Sequence, residues 1–415
     1  MFEYINHEKE VKKIFSKYKG VKCCYYDCNK SSTYSHIISK SISINEIAEN
    51  GHIFKFSPRR NQYVKHPEFE LVGIKENPAF NGFCSEHETL FKPIDENVIN
   101  NFYGVYLQLF RSISSHKYFS KIGRSIFPNI DLIKAEELIK KQVTANLTEK
   151  GKSIDEEKLN KAIDLTIENF KEINYEKNKI IQNKDELLEK FKFYFHNEIK
   201  SKNKKLFESN FRKDRLFTLE YIDEDIPFKI FFYHTNFKIP VAVNAIHFFG
   251  RKSRENFNIF NIIPYSDSSM IIGLIDLKLQ NRLLDKILNK IDSTFNRCDN
   301  SISILNFVES IIISSSDYSY FPPSLIQNMD QEKQDFIVND FMFLNEFQKG
   351  GKYLDNYDST IFDELRATLN INRKLIDPKL NSPLPERFSY DERYKRMKEK
   401  IDKENPILIA LSKTK

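Results

Sequence analysis

Glycine is scarce in this sequence, and the phosphate-binding loops that depend on glycine are missing. The 415 residues include 11 glycines, against about 29 expected at an average usage near 7%. No two of them have the GxGxxG or GxxxxGK[ST] spacing that lets a backbone loop cradle a phosphate. The sequence therefore disfavours Rossmann and P-loop folds.

Long hydrophobic runs are also lacking. The longest nearly uncharged apolar stretch lies around Met270 to Ile275 and is far shorter than the roughly 18–20 residues that span a bilayer. The first ten residues, MFEYINHEKE, contain no apolar segment of the kind found in a signal peptide. We therefore expect a cytoplasmic protein that has no membrane partner.

The residues that are present indicate a folded chain with a small positive charge. Hydrophobic residues make up 40% of the sequence, with 36 Phe and 20 Tyr, which is enough apolar surface to build two or three domain cores. Lys and Arg number 64 against 58 Asp and Glu, a net charge of +6. This excess permits binding to nucleic acid without requiring it.

Basic residues are concentrated in two runs, 200–215 and 373–415. A solvated helix face explains either run, and a surface that contacts phosphates is the alternative. If DNA or RNA is the partner, the first run supplies the candidate binding residues: Lys200, Lys202, Lys204, Lys205, Arg212, Lys213 and Arg215.

The middle of the chain, residues 96–217, has a helical pattern. Apolar residues at helical spacing predict helices over Asn101–Ser114 and Asp131–Leu147, and a capping box at 153–156 begins a third that runs to about residue 205. Four apolar residues of this third helix recur every seven positions: Ile173, Ile180, Leu187 and Tyr194. A charged antiparallel helical arm fits this pattern, and the alternative is the seam of a coiled-coil homodimer or a surface for a protein partner.

The last region, residues 218–415, combines strands with further helices. Two segments rich in Ile, Val, Phe and Tyr, Pro227–Asn244 and Asn258–Leu277, are typical of strands and predict a small sheet. Helices are predicted over three segments: Lys278–Asp292, Ile302–Ser314 and Glu332–Gln348.

Cysteine is rare, yet four of the five cysteines fall in the first 90 residues, together with five of the nine histidines. Close Cys spacing in a reducing compartment favours a metal site over a disulfide. Cys23 or Cys24 forms one pair with Cys28, and Cys84 forms a second with His87, which is the ligand set of a four-coordinate zinc ion. Spacing alone leaves the choice between Cys23 and Cys24 open, although we favour Cys23.

A strand-like segment, Ser35-His36-Ile-Ile-Ser-Lys40, lies between the two pairs. Together with the pairs, it makes residues 20–95, approximately, resemble the HNH nucleases, whose ββα core is held together by zinc. The resemblance implies that His36 is the general base that activates water. It also implies that Glu88 holds a catalytic Mg²⁺ or Mn²⁺, and that Asn81, or else Asn77, orients the base. Cys23, Cys28, Cys84 and His87 would be the structural zinc ligands.

The sequence also departs from the family pattern. Ser35 stands where the family has an acidic residue, Glu88 stands where it has a histidine, and about 47 residues separate His36 from Cys84. His52 could replace the missing histidine if the segment after it folds back. These departures favour a rival interpretation, in which zinc only staples a non-catalytic adaptor that binds nucleic acid or protein.

Other combinations are weaker. Asp267, Asp276 and Lys278 have the order of a PD-(D/E)xK nuclease strand, but no acidic helix residue completes the set. His234 and His247 flank apolar strands and are expected to be packing residues.

The sequence as a whole predicts an α+β fold: an N-terminal treble-clef (ββα) zinc module at 1–95, a helical region at 96–217, and an α+β domain at 218–415. The larger part is expected to be mainly α-helical with a small β-sheet. The predicted function is that of a metal-dependent HNH-like endonuclease, by analogy a restriction or antiphage-defence effector whose C-terminal region serves recognition or regulation.

Overall fold

The computed structural model describes residues 21–57, 68–75, 78–126, 156–208, 210–249, 256–278, 281–296, 301–314, 318–342, 361–369, 389, 391–393, 395, 396 and 399. The chain divides into two compact units. The larger comprises Gly20–Tyr118 and Leu187–Glu386, and the smaller comprises Met1–Lys19, Phe119–Glu186 and Arg387–Lys415. Neither unit begins or ends at the predicted boundaries near 95 and 217.

The described strands are β1 (Tyr34–His36), β2 (His52–Ser57), β3 (Glu68–Gly73), β4 (Ala79–Asn81), β5 (Leu216–Tyr221), β6 (Phe228–His234), β7 (Ala242–Phe249), β8 (Asn256–Pro264), β9 (Ser269–Asp276) and β10 (Ser319–Phe321). The described α-helices are α1 (Asn45–Ile47), α2 (Ser85–Glu88), α3 (Lys92–Glu96), α4 (Phe102–Ile126), α5 (Glu156–Ser201), α6 (Asn281–Phe295), α7 (Ser301–Ser314), α8 (Pro323–Gln327), α9 (Gln331–Met342) and α10 (Asp363–Thr368). A π-helix spans Lys40–Ile44, and 3₁₀ turns span Thr89–Phe91 and Lys204–Leu206.

Eight of the strands form one sheet in the order β3-β2-β10-β7-β8-β9-β6-β5, and every neighbouring pair is antiparallel. The prediction of a mainly helical larger domain with a small sheet is therefore wrong. The physical reason is that strands far apart in sequence pair with one another: Tyr320 of β10 lies opposite Lys55 of β2. Strands β2 and β3, which fall within the zinc module predicted at 1–95, belong to this large sheet.

Both faces of the sheet are covered by helices. On one face, Phe231 of β6 packs against Phe295 of α6 and Phe307 of α7, within a large buried cluster. On the other face, Phe228 and Phe257 pack against the C-terminal part of α5. Every residue of β9 is therefore buried, and its apolar run lacks the in–out alternation of a half-exposed strand.

The helices of 278–342 were predicted nearly in place, and α5 is one continuous helix of 46 residues. The predicted helix 131–147 lies outside the described residues. Tyr194, the last residue of the predicted heptad seam, packs on Phe228 of this chain's own sheet at 5.2 Å. In the smaller unit, Ser120 Oγ donates a hydrogen bond to Asp185 Oδ1 at 2.7 Å. A membrane-spanning helix is not found among the described residues.

Strands β1 and β4 form a separate two-stranded antiparallel sheet, with Tyr34 opposite Asn81 and His36 opposite Ala79. Helix α2 follows β4 directly, so the local order is strand, strand, helix, with β2 and β3 inserted between the strands. Gln108 of α4 donates a hydrogen bond to the Ile37 carbonyl at 3.0 Å. This contact fixes the small sheet against the first long helix.

Candidate metal centre and adjoining cleft

Backbone hydrogen bonds bring the two halves of the metal centre together. The Cys23 N–H donates to the Lys30 carbonyl at 2.9 Å and closes a tight loop, in which Asp27 has a φ of 61°. The Cys24 N–H donates to the Gly82 carbonyl at 2.7 Å, which places this loop beside the start of α2. Cys23 and Cys28 therefore lie next to Cys84, which immediately precedes α2, and His87, which is part of α2.

Cys23, Cys28, Cys84 and His87 converge, and we name them the Cys3His cluster. Their ligand atoms all lie within 4.8 Å of one another, and the three cysteines are buried. Four ligands at about 2.0–2.3 Å around a tetrahedral zinc ion are about 3.3–3.8 Å apart. Cys84 Sγ lies 3.3 Å from His87 Nδ1, Cys23 Sγ lies 3.6 Å from it, and the Cys28 and Cys84 sulfurs are 3.9 Å apart. The cluster fits a zinc ion.

The surroundings of the cluster suit thiolate ligands. The backbone N–H groups of Cys84 and Tyr25 donate to Cys23 Sγ at 3.3 and 3.5 Å. Burial raises the pKa of Cys23 to about 12, and a bound cation would offset that effect because it stabilises the thiolate. The His87 ring stacks on Tyr25 with centroids 4.0 Å apart, which fixes the ring plane. Cys24 is half-buried and lies outside the cluster.

An open cleft of about 380 Å³ is lined in part by Glu88, the last residue of α2. We name it the His36 cleft, and its lining residues are His36, Lys40, Ser41, Asn45, Glu88 and Asp95. The structure thus brings two predicted site residues, His36 and Glu88, to one cavity.

His36 lies at the end of β1 and has one unpartnered nitrogen. Its Nε2 atom is buried and has no hydrogen-bond partner. Burial lowers the pKa of His36 below 6.5, and a hydrogen bond with the Ile74 backbone opposes this shift. Because Nε2 has no partner, that hydrogen bond involves Nδ1. The imidazole is therefore neutral at pH 7 and has a nitrogen available to accept a proton.

The two carboxylates of the cleft are connected through one buried arginine. Both Nη atoms of Arg111 donate to Asp95, at 2.8 and 2.7 Å, and Nη2 lies 4.0 Å from Glu88 Oε1. The guanidinium lies over the Phe91 ring, 4.2 Å from its centroid. Burial raises the pKa of Glu88, whereas Arg111 and a hydrogen bond from Ser35 oppose that shift.

Other predicted site residues lie elsewhere. Asn81 donates a hydrogen bond to the Tyr118 hydroxyl at 3.2 Å and does not line the cleft, so the structure does not place it as the residue that orients His36. Asn77 is outside the described residues. His52 is exposed, and its Nδ1 lies 2.8 Å from the Asn50 carbonyl.

Sequence reasoning missed Asn45 and Lys40. The π-helix Lys40–Ile44 brings both to the cleft, and it begins where the Ser39 hydroxyl accepts a hydrogen bond from the Ile42 N–H. A capping serine at position 39 was the available signal, but it does not distinguish a π-helix from an α-helix.

The remaining candidates do not form a second metal site. Asp267 precedes β9 and Asp276 ends it, so at about 3.3 Å per residue the two are more than about 20 Å apart. Buried His234 shares a hydrogen bond with Ser268 at 2.9 Å, and His247 is also buried. The seven basic candidates from Lys200 to Arg215 are all exposed, and Lys213 forms an ion pair with Asp267 at 2.8 Å.

None of the family models, curated proteins or solved structures compared with this chain matches it. What the structure itself shows is a Cys3His cluster that could hold a zinc ion, next to a cleft lined by a histidine and a glutamate.

Proposed function

We propose that this chain is a metal-dependent endonuclease that hydrolyses phosphodiester bonds at the His36 cleft, with structural zinc in the Cys3His cluster. One observation carries the proposal: His36, with its unpartnered Nε2, and Glu88 line the same cavity next to the cluster. A general base and a hard carboxylate ligand are two groups that can together carry out metal-assisted phosphodiester hydrolysis.

The residues of the cleft have distinct roles in this proposal. His36 takes a proton from the attacking water at Nε2, while the Ile74 backbone holds the other ring nitrogen. Glu88 and Asp95, the two carboxylate residues that line the cavity, would hold Mg²⁺ or Mn²⁺, which prefer oxygen ligands. Such a cation supplies charge that stabilises the phosphate and the departing oxygen. Lys40 contributes a further positive charge for the phosphate.

A non-catalytic adaptor is the second candidate, because two observations favour it. Both carboxylates already have protein partners, Ser35 for Glu88 and Arg111 for Asp95. Asn81 is occupied by Tyr118. Under this alternative the cleft is a structural polar cluster and the chain binds nucleic acid or protein without cleaving it.

The test is a cleavage assay of the full chain on supercoiled plasmid, single-stranded DNA and RNA, with Mg²⁺, Mn²⁺ or chelator. We expect metal-dependent cleavage by the wild type and a loss of about 100-fold or more in His36→Ala, the range for removal of a general base. His52→Ala is the matched control and should cleave at the wild-type rate. Cleavage that survives His36→Ala contradicts the proposal, and a wild type that binds these substrates without cleaving any of them favours the adaptor.

A further inference from the structure

A second cleft lies beside the His36 cleft and takes lining residues from the same short helix. Helix α3 contributes Asp95 to the His36 cleft, and it contributes Pro93 and Ile94 to a neighbouring cavity of about 280 Å³. One helical turn rises about 5.4 Å, so the lining residues that α3 gives to the two cavities lie within about one turn of each other. We name the second cavity the aromatic cleft.

The aromatic cleft offers ring faces and amides, and none of its ten lining residues is charged. Tyr103 and Phe207 stack with their ring centroids 4.2 Å apart, and Phe207 is 44% exposed. Asn97, Asn100 and Asn101 also line the cavity. An exposed ring next to amide groups can stack on a nucleobase and hydrogen-bond to its edge.

The segment that carries Phe207 is strongly basic. Lys204 and Lys205 lie in the 3₁₀ turn Lys204–Leu206, which ends immediately before Phe207, and both side chains are exposed. The Phe211 N–H donates to the carbonyl of Asn100, a lining residue of the cleft, at 2.8 Å, and the residue after Phe211 is exposed Arg212. A ring face flanked by cations is complementary to a base flanked by phosphates.

We propose that the aromatic cleft binds an unpaired base of a single-stranded polynucleotide, with Lys204, Lys205 and Arg212 contacting the adjacent phosphates. This inference rests on the proposed function, since it names the form of substrate that reaches the His36 cleft. A paired base is stacked inside a duplex and cannot present its face to Phe207. The protein is therefore selective for single strands or for unpaired segments.

The test measures binding separately from cleavage, in full-length His36→Ala protein by fluorescence anisotropy at fixed salt. The probe is a labelled oligothymidylate about 16 nucleotides long, within typical single-strand site sizes. Two comparison probes are the matching duplex and an abasic oligonucleotide with the same backbone. Phe207→Leu removes the ring but retains apolar volume, Phe207→Tyr retains the ring, and Lys286→Ala changes an exposed lysine on α6.

We expect Phe207→Leu to weaken oligothymidylate binding about tenfold and to leave abasic-probe binding unchanged, while Phe207→Tyr and Lys286→Ala bind as the parent does. The double variant Lys204→Ala/Lys205→Ala should weaken the binding of both probes. It should also reduce the slope of log affinity against log salt concentration by about two, one for each lost phosphate contact. Equal binding by Phe207→Leu and the parent overturns the inference, as does duplex binding as tight as single-strand binding.

These outcomes are separable from those of the cleavage assay. If Phe207→Leu binds normally while the wild type cleaves, the endonuclease proposal stands and the aromatic-cleft inference fails. If binding depends on Phe207 but no substrate is cleaved, the endonuclease proposal fails and the cleft is a binding site of an adaptor.

Discussion

Ser35 Oγ donates a hydrogen bond to Glu88 Oε2 at 2.6 Å and accepts one from the Phe83 N–H at 3.1 Å. Ser35 is fully buried, so this hydroxyl links β1 to the end of α2 in the interior. The HNH pattern that the sequence analysis considered expects an acidic residue at the position of Ser35. Here a hydroxyl holds the Glu88 carboxylate, and a second acid at this position would repel it.

Ser35→Ala should destabilise the protein, because it leaves both the Phe83 N–H and a Glu88 oxygen without a buried partner. We expect the free energy of unfolding to fall by about 1–3 kcal/mol. Urea denaturation followed by circular dichroism measures this change. Ser41→Ala, an exposed serine at the same cleft, is the control, and equal losses in both variants would contradict the role of Ser35.

Cys84→Ser should abolish stoichiometric zinc binding, because Cys84 is one of the four converging ligands. Wild-type protein purified without chelator should contain about one zinc ion per chain, as a closed four-ligand site binds one ion. Elemental analysis by mass spectrometry provides the measurement. Cys24→Ser changes the thiol next to Cys23 and should retain the metal. If Cys24→Ser lost the zinc and Cys84→Ser kept it, Cys24 would be a ligand and Cys84 would not.

Cleavage should depend on pH through His36. Lys40 and Arg111 favour the neutral ring, as burial does, and Asp95 opposes them. The folded pKa is lower than 6.5, so the base is already neutral at pH 7 and gains no activity at higher pH. The rate should be flat from pH 7 upward and should fall on acidification only below pH 6.5, as measured by initial rates at saturating metal. A rate that still rises between pH 7 and 8 would be inconsistent with His36 as the base.

Arg366 and Glu309 form a buried ion pair between α7 and α10, with hydrogen bonds of 2.8 and 2.7 Å. Both side chains are almost completely buried. Arg366→Met leaves the buried Glu309 carboxylate without its cation, although the Phe362 N–H still donates to it at 3.1 Å. We therefore expect a loss of about 3–5 kcal/mol in unfolding free energy. The double variant Arg366→Met/Glu309→Leu should recover part of it, and a double-mutant cycle by urea denaturation provides the test. Additive losses would show that the two residues do not interact.

Gly273 lies in the middle of β9, directly under a ring of the core. A Cβ atom at this position would lie 1.9 Å from Cε1 of Phe231, whereas one at Gly73 would have no atom within 4 Å. We therefore expect Gly273→Ala to destabilise the protein by about 1–3 kcal/mol through overpacking, and Gly73→Ala to have little effect. Thermal unfolding midpoints distinguish the two, and a Gly273→Ala midpoint equal to that of wild type would show that Phe231 moves freely.

The local part of the fold was predictable because its signals are local. Strands within 227–277 and helices within 278–342 follow from β-branched content and helical spacing over windows of about ten residues. The size of the sheet was not predictable, because β10 joins β2 to β7 through pairs such as Tyr320 with Lys55. Hydrogen bonds between residues more than 250 positions apart leave no periodic pattern in sequence.

By itself, the sequence determined the members of the Cys3His cluster, except for the choice between Cys23 and Cys24, because thiol and imidazole groups at short spacing have few other structural uses. Tertiary structure alone decided what lies at the His36 cleft. The Asn81 side chain contacts Tyr118, because one face of β4 packs on α4. Asn45 lines the cavity, because the π-helix Lys40–Ile44 follows β1. Those choices depend on packing between distant elements, which residue spacing does not encode.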